Sequence, residues 1–101
     1  EFKKKGICSS REVKSCKNGS MIKVGGFLLH PHRPPTRSGR ITVFFSLEDE
    51  YGITDITMFE DIYMKYGHLI FGPQYGSLIV SGRLQRRGHG INIIAQKLER
   101  G

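Results

Sequence analysis

The chain of 101 residues has the length of one small domain, and its 38% apolar content is enough for one modest hydrophobic core. Sixteen lysines and arginines against nine acids give a formal net charge of +7, which favours a polyanionic partner. The sequence has no apolar run of the ~18 residues that a membrane helix needs and no charged-then-apolar leader, so we expect neither a membrane protein nor a secreted one.

Residues 1–19 are basic and only weakly patterned, and we predict that they form a linker or a short helix. Ser9 and Glu12 have the spacing of a capping box, which predicts a helix over residues 10–16. The lysines at positions 3–5 are predicted to be a solvated linker, with an electrostatic arm as the alternative. The folded domain is predicted to span residues 20–101.

The first strand is predicted over residues 20–30, with Gly25 and Gly26 in its middle. Paired glycines inside a strand indicate a bulge or a sharp bend, so one long strand can serve both halves of a small barrel. Residues 31–39 are rich in proline and predict a loop, because proline cannot donate to a ladder. This loop carries Arg33 and Arg37 and no acid.

The second strand has apolar residues at every second position, which places one face in the core. These residues are Ile41, Val43, Phe45 and Leu47. The opposite face carries Arg40, Thr42, Phe44 and Ser46. Phe44 is a large aromatic ring where water is expected, and stacking on bases would explain it. In the alternative, Phe44 packs under the N-terminal segment, or the register slips so that Phe45 faces out.

A turn over residues 48–52 leads to a third strand, in which Thr54, Ile56 and Met58 alternate with polar residues. Residues 60–72 then follow a helical period that Gly67 weakens and Gly72-Pro73 ends. The acids at its start are typical of helix N-termini.

Two further strands are predicted over residues 77–85 and 91–98, joined by a tight turn that presents Arg86, Arg87 and His89. The predicted order is three strands, one helix and two strands, with a bent first strand. This order predicts an all-β protein with one short helix, a five-stranded Greek-key OB-fold barrel with the helix between strands 3 and 4.

Several short motifs add a family resemblance over residues 23–98. They are Val24-Gly25-Gly26, Arg33-Pro34, Gly39, Phe45-x-Leu47-Glu48-Asp49-Glu50-x-Gly52, Phe59 and Val80-x-Gly82-Arg83-Leu84. In these the chain resembles the OB-fold module of bacterial C-family DNA polymerases, either the DNA polymerase III alpha subunit or its error-prone relatives. The resemblance implies a barrel that binds single-stranded DNA beside an active site contributed by other parts of a larger polypeptide.

Oligonucleotides bind OB barrels on the face of strands two and three, between the loop that joins strands one and two and the loop that joins strands four and five. Here these loops contain arginines and no acid, which predicts an electropositive groove. The predicted nucleic-acid-binding residues are Arg33, Arg37, Arg40, Thr42, Phe44, Thr57, Arg83, Arg86, Arg87 and His89.

The sequence contains no pattern typical of catalysis or of metal binding. Glu48, Asp49 and Glu50 are consecutive, so their carboxylates diverge around a turn, and Cys8 and Cys16 match no common zinc spacing. Two cysteines without a C-x-x-C pair indicate a reduced, cytoplasmic protein. We therefore expect a monomeric binding domain without cofactor, whose partners are single-stranded DNA and the other domains of a polymerase. A protein-docking module and a tRNA- or RNA-binding domain are the alternatives.

Overall fold

Five strands and three short helices make up the part of the chain that the computed structural model describes, residues 6–72 and 76–101. The helices span Ser10–Val13 (α1), Glu60–Tyr66 (α2) and His68–Phe71 (α3). The strands span Met21–His32 (β1), Thr42–Asp49 (β2), Gly52–Phe59 (β3), Leu78–Arg87 (β4) and Gly90–Arg100 (β5). They close into a barrel in the order β1-β2-β3-β5-β4, with β3 and β5 parallel and the other neighbours antiparallel. The predicted five-stranded OB barrel is confirmed.

Strand β1 changes partners at its paired glycines, as the sequence predicts. Residues 21–26 pair with β4, and the register with β2 begins at Phe27. A Cβ atom on Gly26 would lie 2.8 Å from the carbonyl carbon of Glu48, closer than any real Cβ contact. Glycine is therefore required where the two backbones cross, because any side chain would push β1 and β2 apart.

The core is built largely by the alternation of inward- and outward-facing residues along the strands, most clearly in β2. In β2, Val43, Phe45 and Leu47 are at most 2% exposed, whereas the ring of Phe44 is 36% exposed on the opposite face. The predicted register is thus confirmed, and the slipped register that exposes Phe45 is excluded. The same alternation buries residues from the other strands, with roughly 1.5–3 kcal/mol of transfer free energy for each large side chain. These residues include Val24, Ile56, Met58, Val80, Leu84, Ile93 and Leu98.

The helical segment after β3 is divided in two, where the sequence predicts one helix. Gly67 ends α2 with a hydrogen bond from its N–H to the carbonyl oxygen of Tyr63 at 2.7 Å, and α3 starts at the next residue. Ile70 on α3 is 1% exposed and closes one end of the barrel core. The break lies at Gly67, the residue that is predicted to weaken the helix. Pro73, at the predicted end of the segment, lies outside the described residues.

Residues 6–20, the described part of the chain before β1, pack on the barrel. Ser9 and Glu12 form the predicted capping box, although α1 ends at Val13, before the predicted position 16. The side chains of Ile7 and Val13 are buried in the core at 4% and 2% exposure. The lysines at positions 3–5 lie outside the described residues. The division of the chain at residues 19 and 20 stays a prediction.

A carboxylate joins this N-terminal segment to the turn between β2 and β3. Asp49 accepts hydrogen bonds from the backbone N–H and the hydroxyl of Ser10 at 2.7 and 2.6 Å, and from the backbone N–H groups of Tyr51 and Gly52 at 2.9 and 3.1 Å. Partial burial raises the pKa of Asp49, but these hydrogen bonds outweigh it and hold the pKa below its ordinary value. The ionised carboxylate is therefore the form that the fold stabilises.

The hairpin between β4 and β5 is tighter than the sequence predicts. Arg86 and Arg87 belong to β4, where Arg87 pairs with Gly90, so that only Gly88 and His89 form the turn. Gly88 has a positive φ of 58°, which suits a two-residue hairpin turn. The prediction that both arginines lie in the loop is wrong, because the ladder continues two residues beyond the predicted end of the strand at residue 85.

Candidate nucleic-acid interface

An open groove of about 700 Å³ lies on the outer face of β2, β3 and β5. Its walls include the end of β1 at His30 and His32, and the end of β4 at Gln85 and Arg87. The end of β1 leads into the loop that precedes β2, and the end of β4 leads into the turn that precedes β5. The two segments that the sequence predicts to flank the binding face therefore lie on the same groove.

Three rings of the groove provide aromatic surface. Phe44 is 36% exposed, and the His32 ring stacks on it with a centroid separation of 5.5 Å and an interplanar angle of 28°. Phe59, at the end of β3, is 48% exposed and also lines the groove. Phe59 lies opposite Thr42 across the ladder, on the same face as Phe44. The sequence predicts Phe44 alone, although its own alternation from Thr57 to Phe59 carries the signal for the second phenylalanine.

An irregularity in β1 positions the His32 ring. His30 has a φ of 51°, which is rare outside glycine, and the register of β1 with β2 shifts between Leu29 and His32. The ring Nδ1–H of His32 donates to the carbonyl oxygen of His30 at 3.1 Å. This bulge is not visible in the sequence, which explains why His32 is missing from the predicted binding residues.

Polar side chains form the floor between the rings. Ser46 donates from its hydroxyl to Asp55 Oδ1 at 2.8 Å, and Asn92 on β5 donates from Nδ2 to the hydroxyl oxygen of Thr57. Thr57 is 4% exposed, so it supports the floor from below. Asn92 lies beside Asp55 because β5 pairs in parallel with β3, a long-range pairing that sequence alternation cannot reveal.

Arg86 and Arg87 point to opposite sides of β4, because neighbouring residues alternate along a strand. Arg87 lines the groove. Arg86 lies on the same face of β4 as buried Leu84. Its Nη2 donates to the carbonyl oxygens of Lys14 and Cys16 at 2.6 and 2.7 Å. The structure thus places the two predicted arginines in different surroundings, one at the groove and one in the contact with the N-terminal segment.

Two arginines of the β1–β2 connection contact helix α2. Arg33 donates from Nη1 to the hydroxyl oxygen of Tyr63 at 3.2 Å, and its guanidinium lies 5.7 Å from the centre of the same ring. Arg40 forms an exposed ion pair with Glu60 at 4.0 Å. Both side chains hold the loop against the helix, and neither lines the groove among the described residues.

The remaining predicted residues lie around the groove. Arg37 and His89 are exposed in their turns, and Arg83 donates weakly to the carbonyl oxygen of Gly19 at 3.5 Å. The structure therefore brings four predicted residues together as groove lining, Thr42, Phe44, Thr57 and Arg87. It places Arg33, Arg37, Arg40, Arg83, Arg86 and His89 outside that lining. Their roles in binding stay predictions.

In the described residues 6–72 and 76–101, no group of three or more His, Cys, Asp or Glu side chains is arranged to hold a metal ion. Cys8 and Cys16 are free and half-buried, and burial, together with the neighbouring Cys16 thiol, raises the pKa of Cys8. None of the described helices has the length and hydropathy needed to cross a membrane.

Comparison with known sequences gives two kinds of similarity. Residues 12–100 match the family described as "OB-fold nucleic acid binding domain". The chain is also 47% identical over 95 residues to an error-prone DNA polymerase of Symbiobacterium thermophilum, a match that covers 94% of the chain. The chain spans only 9% of the length of that polymerase.

Solved structures share the fold at low sequence identity. RecG bound to a three-way DNA junction matches with a TM-score of 0.72 and 10% identity, over 94% of this chain and 12% of RecG. Rim1, a mitochondrial single-stranded DNA binding protein of S. cerevisiae, matches with a TM-score of 0.61 and 11% identity, over 82% of this chain and 94% of Rim1. At these identities the similarity describes the barrel alone.

Proposed function

Because this chain belongs to the family of OB-fold nucleic acid binding domains, we propose that it binds single-stranded DNA in the groove over β2, β3 and β5, as one module of an error-prone DNA polymerase. In that context it holds the template strand near an active site that other parts of the polymerase supply. The relative from Symbiobacterium thermophilum supports this context, since 94% of the chain aligns with it.

The observation that carries the proposal is the combination of exposed rings and a cation in one groove. A base laid on an aromatic ring contributes roughly 1–3 kcal/mol whatever its identity, and here Phe44 and Phe59 present such surfaces. Arg87 at the end of β4 supplies positive charge to the phosphates that connect the stacked bases. Stacking and phosphate contacts do not distinguish between bases, so this part of the binding is expected to tolerate sequence changes and to weaken with salt.

The experiment is a fluorescence-anisotropy titration of the chain with a short labelled oligo-dT at about 50 and about 200 mM salt. Arg87→Glu is the test variant, because it reverses a charge in the groove and leaves the core intact. Lys23→Glu is the matched control, since Lys23 is exposed on β1 where it pairs with β4, away from the groove. We expect Arg87→Glu to weaken binding and to lower the salt slope by about one or more.

A general effect of net charge would instead weaken binding equally in the two variants, and that result would exclude the groove as the site. Oligo-U of the same length serves as the RNA comparison. Tighter binding of the RNA than of the DNA would contradict the proposal and favour an RNA-binding domain.

A further inference from the structure

The floor of the groove contains a carboxylate where a phosphate-binding surface would exclude one. Asp55 on β3 is exposed, and it is the only acid among the described residues that line the groove. A phosphate next to a carboxylate is repelled, and this repulsion is strongest where water is partly displaced. If single-stranded DNA lies in this groove, its bases rather than its phosphates must approach Asp55.

Asp55 lies within reach of a base that stacks on Phe44. Phe44 pairs with Thr57 across the β2–β3 ladder, and Asp55 is two residues from Thr57 on the same face. Such diagonal neighbours are separated by about 7–8 Å, a distance that the half-width of a stacked base and one hydrogen bond cover together. The same stacked base can therefore contact Phe44 with its face and Asp55 with its edge.

Neighbouring side chains orient the carboxylate. The Ser46 hydroxyl donates to Asp55 Oδ1 at 2.8 Å from the opposite strand. An ionised carboxylate has about four acceptor sites on its two oxygens, so this one bond leaves both oxygens able to accept further donors. Asn92, beside Asp55 on β5, is held by its bond to Thr57. The Ser46 hydroxyl therefore orients one oxygen of Asp55 and leaves the carboxylate able to accept from a base.

We propose that Asp55 is a specificity-determining residue that selects guanine for the base stacked on Phe44. This inference rests on the proposed binding of single-stranded DNA. Guanine presents two adjacent donors, N1–H and the N2 amino group, which match the two oxygens of a carboxylate in a bidentate, charge-assisted pair. Adenine and cytosine offer one amino donor, and thymine offers one N–H between two carbonyl oxygens that the carboxylate repels.

The test compares guanine with inosine in an otherwise identical oligothymidine that carries one substituted position. Inosine is a purine of nearly the same stacking surface, but it lacks the N2 amino group and so loses one of the two donors. We expect the wild-type chain to bind the guanine oligonucleotide roughly 10- to 150-fold more tightly, as the loss of one hydrogen bond to a charged group predicts.

Asp55→Asn is the test variant and Asp61→Asn is its matched control. Both remove one negative charge, but Asp61 is exposed on α2 and lies outside the groove lining. We expect Asp55→Asn to bring the two affinities within about twofold of each other, because an amide places a donor opposite the second guanine donor. Asp61→Asn should keep the wild-type preference. Ser46→Ala, which leaves the carboxylate in place without its orienting bond, should reduce the preference in part.

Three results would overturn the inference in distinguishable ways. Equal binding of guanine and inosine by the wild-type chain would show that Asp55 reads no base edge and would leave the proposed binding intact. Equal loss of the preference in Asp55→Asn and Asp61→Asn would assign the effect to net charge. Failure to bind any of the oligonucleotides would instead contradict the proposed binding of single-stranded DNA itself.

Discussion

Phe44 and Phe45 are adjacent in the sequence and lie on opposite faces of β2, so replacing each by alanine separates binding from folding. Phe45 is 2% exposed and belongs to the core, where a phenylalanine-to-alanine change costs about 3–5 kcal/mol of unfolding free energy. A domain of this size is stable by only about 5–15 kcal/mol, so this variant should unfold at a much lower urea concentration.

Phe44→Ala should behave in the opposite way. The ring is 36% exposed and stacks on His32 at 5.5 Å, so the loss of stability should stay below the roughly 3–5 kcal/mol expected for Phe45→Ala. If bases stack on the ring, the affinity for oligo-dT should fall by about 1–3 kcal/mol, roughly 5- to 150-fold.

Urea unfolding followed by circular dichroism measures the stability of both variants, and anisotropy titration with oligo-dT measures their affinity for single-stranded DNA. Two results would refute the reasoning. A loss of more than about 3 kcal/mol of stability in Phe44→Ala would mean that the ring is part of the core. Unchanged oligo-dT affinity in a folded Phe44→Ala variant would mean that the groove binds without stacking on this ring.

Two further predictions concern the contacts that hold the fold. Asp49→Asn should lower the free energy of unfolding by about 1–3 kcal/mol near neutral pH. The folded-state pKa of Asp49 lies below its ordinary value of 3.8, so the carboxylate stabilises the wild type less as pH falls below 3.8. The stability difference between variant and wild type should therefore shrink there. Urea unfolding of both proteins from about neutral pH to about pH 3 measures this difference, and a difference that stays constant with pH would contradict the prediction. Gly26→Ala should cost about 1–3 kcal/mol, since the new methyl group overlaps the Glu48 carbonyl group. Thermal unfolding checks it, and an unchanged midpoint would argue against the close approach of β1 and β2.

The barrel could be predicted from the sequence because its strands are short, amphipathic and separated by glycine-rich turns. The alternation in β2 placed Phe44 outside and Phe45 inside, and the paired glycines located the bend of β1. These features depend on local chemistry, in which each residue's position along its own strand decides the face that it occupies.

The groove could be predicted only in part, because its other features depend on contacts between distant residues. Arg33 and Arg40 are held by Tyr63 and Glu60 on α2, residues that are 20 or more positions away along the chain. Nothing in the loop sequence indicates these partners, so charge alone assigned both arginines to the groove. Asn92 enters the floor through the parallel pairing of β5 with β3, which sequence alternation does not specify.

The last strand along the chain also has a consequence for how the domain is made. Strand β5 pairs with both β3 and β4, and it contributes Asn92 to the floor of the groove. During synthesis the first four strands leave the ribosome before β5 is available, and β3 keeps an unpaired edge until then. The barrel closes and the groove is completed in the same late step, so a nascent chain that stalls before residue 90 presents an open sheet to its surroundings.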